Sequence, residues 1–379
     1  MARVLVVIHS LRTGGAERVA LQWCEWLLQE GHQVQLVTPQ RADRDFYPLP
    51  PNLQRRHAPP LPGLLERLGP LVFPLRVRQL NRLICNGSFN LALGITALPA
   101  IKLLLAARGT GVPVVVSERI FPGSAPLSKP WCWLRRLSYP WAALHVVQTE
   151  AIADWLKERQ LAQRIRVLPN AIRWPLSVHQ PCLEPADVLG QDQRFILAVG
   201  TKPHQKGFDR LVAAWQRIAE RHPGWRLVLA GLPESSWPQN WEALPKGVAR
   251  PLLPGRVGNL GAWYAQASLF VLSSRYEGIP NVLLEAMAYG CACLAVDCPT
   301  GPAELIRHDQ DGWLLPEEAS VAALSEAMET LIKRPELRRR LGRSARSVRD
   351  RFAESRIRAQ MLEALAPWLE SPDSRTQLT

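Results

Sequence analysis

Strand-like runs of aliphatic residues alternate with longer helical stretches along this chain, and the alternation continues through both halves. Alternation of this kind favours parallel sheets whose strands are joined by crossover helices. We therefore expect an α/β fold. In the first half the predicted strands are Val4–Ile8, Val34–Thr38, Leu91–Ile95, Val112–Ser117 and His145–Gln148, and the predicted helices are Gly15–Gln29, Pro99–Arg108 and Glu150–Arg159.

A stretch without hydrophobic periodicity separates the two halves. It is rich in proline, follows Asn170 and runs to about Asp192, which makes it the best candidate for a domain boundary. The chain has 379 residues, enough for two α/β domains. We predict domains at residues 1–178 and 179–379, each Rossmann-like. Strands predicted in the second are Phe195–Val199, Arg226–Ala230, Leu269–Leu272 and Cys293–Val296, with helices at Phe208–Arg221 and Pro280–Tyr289.

Composition and hydropathy bound the class of protein. The most apolar stretch, Leu91 to Ala107, is interrupted by Pro99 and Lys102, so we expect no membrane-spanning helix. The first ten residues read as a buried strand and not as a signal peptide. Seven cysteines form no CxxC pair, which favours reduced thiols. A cytoplasmic protein is the expectation.

Positive charge is concentrated in the first half of the chain. Residues 1–180 hold 22 Lys and Arg against 10 Asp and Glu, a net charge of +12, whereas the remainder has 24 against 23, a net of +1. A basic domain favours an anionic partner: phospholipid headgroups, a diphosphate-linked substrate or nucleic acid. Simple solubility explains the charge equally well.

Two Rossmann-like halves raise the question of a dehydrogenase, and the sequence argues against it. The turn after the first strand contains Gly14-Gly15-Ala16 and does not match GxGxxG. The second strand ends in Thr38-Pro39, without the acidic residue that would bind a ribose 2′-hydroxyl.

The most informative segment runs from Ser273 to Gly290. A strand ends before it, a loop carries Glu277 and Gly278, and a helix is predicted to begin at Pro280. The start of a helix offers N–H groups and partial positive charge to a phosphate, and Gly278 lets backbone approach a ligand. Glu285 follows about one turn into the helix. We interpret the two carboxylates as flanking a diphosphate; the alternative is a loop cap and a solvated helix residue.

Two further turns resemble ligand-binding loops. Lys202 and Lys206 lie in a connection after Val199-Gly200, where they could neutralise a leaving diphosphate. An exposed basic loop is the alternative. The Gly14-Gly15 turn sits at the carboxyl end of the first strand, the side on which open α/β sheets bind ligands, or it is simply a tight turn.

Together these segments resemble the family 4 glycosyltransferases, which have two Rossmann-like domains facing each other across a cleft in the GT-B arrangement and retain anomeric configuration. The matching residues are Glu277 and Glu285 in an E-x7-E motif, Lys206-Gly207-Phe208-Asp209, Gly14-Gly15-Ala16-Glu17-Arg18, Val167-Leu168-Pro169-Asn170 and Asp297-Cys298-Pro299-Thr300-Gly301-Pro302. The last is similar to a stretch of a bacterial subgroup that acts on lipid-linked oligosaccharides and surface polysaccharides.

The resemblance implies a role for each matching residue. Glu277 would contact the hydroxyls of the donor sugar, Glu285 the ribose, and Lys206 the diphosphate. Gly15 would approach the diphosphate from the opposing domain, and the last helix, about 355–368, would cross back to the first domain. The implied donor-binding set is Gly15, Thr201, Lys202, Lys206, Glu277, Gly278, Ile279, Asn281, Val282 and Glu285, with Glu277 and Lys206 catalytic.

The chain departs from the family pattern in two places. Thr201, with Lys202 beside it, replaces the usual arginine, and a lysine does not reproduce bidentate guanidinium geometry. Ser117-Glu118-Arg119 occupies the region where many members carry a histidine. Gly14, Glu118 and Arg119 are candidates on the acceptor side. Pairing of Glu118 with Arg119 is the favoured alternative to a role for Glu118 at the anomeric centre.

Three weaker signals remain. Asp309-Gln310-Asp311 matches a metal-binding DxD pattern, but the following Gly312 favours a turn, and we expect no metal or other cofactor. Basic amphipathic sequence at Leu64–Leu83 and Trp131–Arg136 suits contact with an anionic membrane or an ordinary core-covering helix. Arginines between Arg338 and Arg351 lack interleaved aromatics, so a solvated helix face is favoured over RNA binding.

The predicted function is retaining transfer of a hexose or N-acetylhexosamine from a nucleotide diphosphate sugar, expected to be UDP-linked. The acceptor would be a glycan or a lipid-diphosphate-linked molecule, reached from the cytoplasm at the inner face of the membrane. One alternative is a non-catalytic nucleotide-sugar-binding protein of the same fold. A basic nucleic-acid-binding protein is the other, less favoured alternative.

Overall fold

The computed structural model describes residues 1–12, 14–39, 43, 45–57, 72–190, 193–232 and 250–370. The chain divides into two compact units. Unit 1 comprises Met1–Asn170 and Ser355–Thr379, and unit 2 comprises Ala171–Glu354.

Unit 1 is built around a parallel sheet of seven strands in the order β3-β2-β1-β4-β5-β6-β7. Val and Leu fill both faces of its central strands, as expected where helices cover both faces of a parallel sheet. Its strands are β1 (Arg3–Val7), β2 (Gln33–Thr38), β3 (Gln54–His57), β4 (Leu91–Ile95), β5 (Val114–Ser117), β6 (Leu144–Val147) and β7 (Ile165–Val167). Its helices are α1 (Gly15–Gln29), α2 (Phe73–Gly87), α3 (Ala97–Ala107), α4 (Lys129–Ser138) and α5 (Glu150–Glu158), with a 3₁₀ turn at Tyr139–Trp141.

Unit 2 has a parallel sheet of five strands in the order β12-β11-β10-β8-β9, with a separate hydrophobic cluster on each face. Its strands are β8 (Arg194–Val199), β9 (Trp225–Ala230), β10 (Leu269–Leu272), β11 (Cys293–Val296) and β12 (Trp313–Leu315). Its helices are α6 (Pro185–Leu189), α7 (Pro203–Lys206), α8 (Phe208–Gln216), α9 (Leu260–Gln266), α10 (Asn281–Ala288), α11 (Pro302–Leu305), α12 (Val321–Lys333), α13 (Pro335–Ala345) and α14 (Val348–Arg351), with a 3₁₀ turn at Ala219–Arg221.

The boundary between the units follows Asn170, earlier than the predicted 178/179. The segment beyond it is tied to unit 2 because the Ile172 N–H donates to the Phe352 carbonyl at 2.8 Å. Arg173 pairs with Glu354 at 2.7 Å, and the Leu176 N–H donates to the Tyr289 hydroxyl at 3.2 Å. The last helix, α15 (Glu354–Leu369), lies almost wholly in the segment that groups with unit 1.

Candidate functional site

Two loops of unit 2 meet where the strand order reverses. β8 pairs with β9 on one side and with β10 on the other, so the chain changes direction across the sheet between β8 and β10. Open α/β sheets bind ligands at such a switch point, beyond the carboxyl ends of the strands. Gly200–Gly207 follows β8, and Ser273–Pro280 follows β10, so both predicted loops lie at this position.

The two loops are joined by an ion pair between predicted site residues. Lys206 Nζ lies 2.6 Å from Glu277 Oε1. The Ser274 hydroxyl donates to the same oxygen at 2.6 Å. The Lys206 and Glu277 side chains are 14% and 8% exposed, so little water screens their attraction. The sequence singled out both residues, and the structure brings them into direct contact.

Backbone carbonyls around the pair are held by two polar side chains that sequence reasoning missed. The Ser273 hydroxyl donates to the carbonyls of Lys206 at 2.8 Å and Gly207 at 3.1 Å. Arg210 donates in turn to the carbonyls of Ser273 at 2.7 Å and Ser274 at 2.5 Å. These bonds fix one loop against the other. Arg210 directly follows the Lys206-Gly207-Phe208-Asp209 match, but no spacing rule marks it.

Two glycines are required where backbone segments of this site approach each other closely. Gly207 has φ +61°, and a Cβ there would lie 2.0 Å from the Ser273 carbonyl oxygen. Gly301 has φ +103°, and its Cβ would lie 1.9 Å from the Gly278 carbonyl oxygen. Beside it, the Thr300 hydroxyl donates to the Glu277 carbonyl at 2.8 Å. A side chain at either glycine would push apart the backbone that positions Glu277.

Helix α10 starts directly after the Glu277 loop. Pro280, the predicted first helical residue, is its N-cap, so the helix begins one residue later, at Asn281. The first N–H groups of a helix have no acceptor within that helix and favour an anion. Gly278, Ile279 and Val282 therefore lie in or beside a turn suited to phosphate, and their contact with a donor stays a prediction.

Glu285 lies inside unit 2, which excludes the solvated alternative. It is 1% exposed, and its Oε2 accepts a hydrogen bond from the Tyr264 hydroxyl at 3.0 Å. Tyr264 belongs to α9 and is itself buried. The expected contact with ribose stays a prediction. The sequence pattern did not indicate Tyr264, the hydrogen-bond partner of Glu285.

Thr201 and Lys202 are placed differently from Lys206. Both are exposed, at the carboxyl end of β8. The Lys202 carbonyl accepts the Lys206 N–H at 2.9 Å, so Lys202 supports the turn through its backbone. Within the described part of the chain, the hydrogen bonds to Glu277 Oε1 come from Lys206 and Ser274.

In unit 1 the Gly14-Gly15 turn lies at the carboxyl end of β1. Gly14 is the N-cap of α1, and its carbonyl accepts a hydrogen bond from the Tyr47 hydroxyl at 3.3 Å. Gly15, the first helical residue, is exposed. Ser10 donates to Glu17 at 3.3 Å beside it. The turn is therefore accessible to a ligand from solvent.

The favoured pairing of Glu118 with Arg119 is wrong. Glu118 is 1% exposed and accepts a hydrogen bond from the buried Tyr139 hydroxyl. Burial raises the pKa of Glu118, while Arg135 and the Tyr139 bond oppose the rise. This carboxyl group faces the interior of unit 1, which argues against contact with an acceptor.

Arg119 points to different partners. It donates to Asn170 at 3.1 Å and lies over the Trp23 ring, 4.6 Å from its centroid. Burial lowers the pKa of Arg119 to about 9. Its Nε and Nη2 atoms have no hydrogen-bond partner among the described residues. Arg119 thus keeps unused donors at the carboxyl end of β5 and remains an acceptor-side candidate.

Asp309-Gln310-Asp311 forms the predicted turn. Asp311 is fully buried and accepts from the Arg307 N–H at 2.6 Å and Nε at 2.8 Å. Asp309 pairs with Arg340 at 2.5 Å. Both carboxylates are therefore engaged by arginines.

The arginine-rich helices are not simply solvated. Arg338 donates to the Ile332 carbonyl at 2.7 Å, and Arg349 to the Ala288 carbonyl at 2.7 Å. Arg351 donates to the Leu305 carbonyl at 3.0 Å. These side chains join helices within unit 2, a role that the sequence pattern did not predict.

The described ranges contain neither a metal-ligand cluster nor a helix able to cross a membrane. No cluster of three or more His, Cys, Asp and Glu side chains is arranged to hold a metal ion there. None of the helices described combines the length and apolar character needed to cross a bilayer.

Comparison with protein families gives two matches that are adjacent in the sequence. Residues 13–173 match the family described as Glycosyltransferase Family 4. Residues 184–348 match Glycosyl transferases group 1. The first falls mainly on unit 1 and the second wholly on unit 2.

Relatives with full-length similarity act in glycan synthesis. The chain is 25% identical to the amylovoran biosynthesis glycosyltransferase AmsD of Erwinia amylovora, over 91% of this chain and 94% of that protein. It is 23% identical, over 97% and 99%, to an α-1,4-N-acetyl-D-galactosaminyltransferase of Campylobacter jejuni whose name gives a diphospho-undecaprenol-linked acceptor. An uncharacterized glycosyltransferase of Haemophilus influenzae matches at 29% identity, over 44% of this chain and only 47% of that protein.

Solved structures share the fold. Sucrose-phosphate synthase of Thermosynechococcus elongatus superposes with a TM-score of 0.79 at 20% identity, over 97% of this chain and 99% of that one. Anabaena HepE, solved with UDP-glucose, gives 0.76 at 17% identity, over 97% and 100%. The predicted α/β fold, with two Rossmann-like units of the GT-B type, is confirmed.

Proposed function

The chain belongs to the family 4 glycosyltransferases, and from that premise we propose that it transfers a sugar from a UDP-sugar, with retention of configuration, to a lipid-linked glycan acceptor. The observation that carries the proposal is the Lys206–Glu277 pair, with an N–O distance of 2.6 Å, directly before the start of α10. The lipid-linked acceptor is suggested by the Campylobacter relative, and UDP by the HepE structure.

The geometry supports a division of labour on unit 2. A diphosphate at the start of α10 would draw Lys206 Nζ away from Glu277, because two phosphate charges attract the ammonium group more strongly than one carboxylate. Glu277 would keep the Ser274 hydrogen bond and accept from hydroxyls of the donor sugar. Glu285, held by Tyr264, would accept from the ribose hydroxyls.

Transfer would then proceed on one face of the sugar. The bond between the anomeric carbon and the diphosphate oxygen breaks, and its electron pair stays on that oxygen. Lys206 and the N–H groups of the first turn of α10 stabilise the growing charge. The acceptor hydroxyl bonds to the anomeric carbon from the same face and gives its proton to the diphosphate oxygen. We propose that the protein's own cations serve here without a metal.

Turnover tests this proposal directly. Purified protein, a panel of UDP-hexoses and UDP-N-acetylhexosamines, and a polyprenyl-diphosphate-linked glycan should release UDP and give an α-linked product by NMR, with or without EDTA. Glu277→Gln should lower the rate of transfer about a hundredfold or more. Unchanged turnover in Glu277→Gln would reject the site. Stabilisation against heat by a UDP-sugar, without turnover on any acceptor, would instead support the non-catalytic alternative.

We also propose that unit 1 contacts an anionic membrane on its cytoplasmic side. α2 and α4 are neighbours, since the Phe73 and Trp131 rings meet edge to face at 5.2 Å. Trp133 on α4 is 64% exposed, and Leu75 and Leu137 are exposed nearby in the same two helices. Apolar side chains among arginines suit a headgroup layer. The predicted segment Leu64–Leu83 lies partly outside the described residues.

A vesicle assay tests whether this surface binds a membrane or whether any exposed tryptophan would do so. Trp133→Ser should weaken co-sedimentation with phosphatidylglycerol vesicles several-fold. Trp174→Ser, which alters a tryptophan of unit 2 that is also partly exposed, is the matched control and should not. Equal behaviour of the two variants would contradict a membrane face on α4.

A further inference from the structure

A ligand-sized cavity lies within unit 1. Its volume is about 550 Å³, within the range of about 300–1,000 Å³ that is usual for small-molecule sites. Residues from the ends of β1 and β2 form one part of its wall, and residues of α2 and α3 form another. The sequence did not predict it, because its residues come from five separate segments.

The position of the cavity is the one at which open sheets bind ligands. β1 pairs with β2 on one side and with β4 on the other, so the strand order of unit 1 reverses between β1 and β4. Ile8 and His9 leave the carboxyl end of β1 and line the cavity. Pro99 and Lys102 line it from α3, the helix that follows β4. The cavity therefore occupies the switch point of unit 1.

The titratable side chains of the cavity wall are basic. They are His9, Arg56, His57, Arg76, Arg82 and Lys102, and no Asp or Glu accompanies them among the described lining residues. Arg56, Arg82 and Lys102 form no ion pair within the described part of the chain. Lys102 Nζ instead lies 5.6 Å from the Trp131 ring centroid. Among the described residues, no carboxylate therefore balances the charge of Arg56, Arg82 or Lys102.

The cations also oppose one another. Burial lowers the pKa of Lys102, and the charge of Arg76 lowers it further. The pKa of His9 is lowered by burial and then by Lys102 and Arg12. Each group thus raises the cost of charging its neighbours, and a bound anion would relieve that cost. The arrangement therefore favours a bound anion.

The rest of the wall is apolar. Val7, Ile8, Val37, Leu80 and Leu83 line the same cavity. A free inorganic anion gains nothing from such side chains, whereas the carbons next to a phosphate ester would be removed from water. The ligand chemistry that fits both features is a phosphate or diphosphate ester of an apolar chain.

We propose that this cavity binds the phosphate or diphosphate of an isoprenoid-linked acceptor, with the cations on the phosphate oxygens and the aliphatic wall on the first carbons of the chain. The assignment rests on the proposed function, since it locates the acceptor's charged group on unit 1. It names Arg82 and Lys102 as residues that determine acceptor class.

The contributions of the cations and of the apolar wall can be separated with three soluble probes: farnesyl diphosphate, inorganic pyrophosphate and farnesol. We expect farnesyl diphosphate to bind at least tenfold more tightly than either of the others by calorimetry. Titrations in a Lys206→Met background remove the cation of the unit 2 site that could also hold a diphosphate. Pyrophosphate binding as tightly as farnesyl diphosphate would overturn the role of the apolar wall, and farnesol binding as tightly would overturn the role of the cations.

Arginines on one helix supply the matched control. Arg82→Gln and Lys102→Gln should each weaken farnesyl diphosphate binding about tenfold, as expected for loss of one charged contact. Arg78→Gln removes the same charge one turn earlier on α2, outside the cavity, and should change the affinity less than twofold. Arg82 is exposed, so its substitution is compatible with folding.

The outcomes keep this proposal separate from the proposed function. Equal losses of farnesyl diphosphate affinity in Arg78→Gln and Arg82→Gln would mean that the overall positive charge of α2 attracts the ligand, as it would attract a membrane or RNA. That result would overturn the cavity assignment. UDP should stabilise wild type and all three single variants alike. If the wild-type protein does not bind UDP, the donor proposal is rejected. The farnesyl diphosphate titrations would still test the cavity assignment.

Discussion

The two units each place cations beyond the carboxyl edge of a parallel sheet, and they differ in the described acidic residues that accompany those cations. In unit 2, Lys206 is paired with Glu277 at 2.6 Å. In unit 1, Lys102 faces a cavity wall whose described titratable residues are all basic. A lysine paired with a carboxylate can exchange that partner for a phosphate during a reaction. Cations without a neighbouring carboxylate are instead neutralised when an anionic ligand binds. The first arrangement suits catalysis, and the second suits recognition.

The largest expected effect comes from removing the cation of the balanced site. Lys206→Met should lower the rate of sugar transfer by about 10²–10³, because the leaving diphosphate loses a preorganised positive group. Lys202→Met is the matched control, since Lys202 is exposed and touches the site through its carbonyl. It should reduce the rate less than tenfold.

The measurement is initial rate at saturating UDP-sugar, with UDP affinity determined separately. Equal losses in the two lysine variants would mean that the loop provides only general positive charge. In that case the contrast between a balanced site in unit 2 and an unbalanced one in unit 1 would no longer hold.

A smaller effect is expected from the backbone that positions the pair. Gly207→Ala places a Cβ at φ +61° and 2.0 Å from the Ser273 carbonyl oxygen, so the free energy of unfolding should fall by roughly 2–3 kcal/mol. Gly224→Ala meets nothing within 4 Å and should change it by less than about 0.5 kcal/mol. Thermal unfolding with and without UDP tests both. A Gly207→Ala protein as stable as Gly224→Ala would show that the loops approach each other less closely.

The sequence predicted the regular part of this molecule well, since long aliphatic runs leave few alternatives. Strand Leu91–Ile95 and helix Gly15–Gln29 have the predicted bounds. β3 was missed because Gln54–His57 has no apolar residue and lies at the edge of the sheet. That strand carries two of the basic residues of the unit 1 cavity. The polar edge strand that escaped prediction is therefore a functional element in our proposal.

At the site, resemblance identified Glu277 and Lys206 but not their surroundings. Ser274 and Arg210 act through hydrogen bonds that depend on how two distant loops fold together, and no local pattern encodes them. The opposite error occurred at Glu118, where adjacency in sequence suggested a pair with Arg119. Neighbouring residues at the end of a strand point to opposite faces, so Glu118 met Tyr139 in the interior instead.

Salt should separate the two sites by the smallest of these effects. Farnesyl diphosphate binding to unit 1 should weaken about tenfold between 0.05 and 0.5 M NaCl, because mobile ions screen cations that have no acidic residue beside them on the described part of the cavity wall. UDP binding to unit 2 should weaken only about threefold over the same range. Lys206 must leave Glu277 at every salt concentration, and the pair is largely shielded from solvent, so mobile ions change the balance little. Calorimetry on the Lys206→Met protein for the first ligand, and on wild type for the second, gives both slopes. If UDP binding has the steeper slope, the Lys206–Glu277 pair does not exist in the unliganded protein. The difference between a self-balanced and a ligand-balanced site would then have to be abandoned.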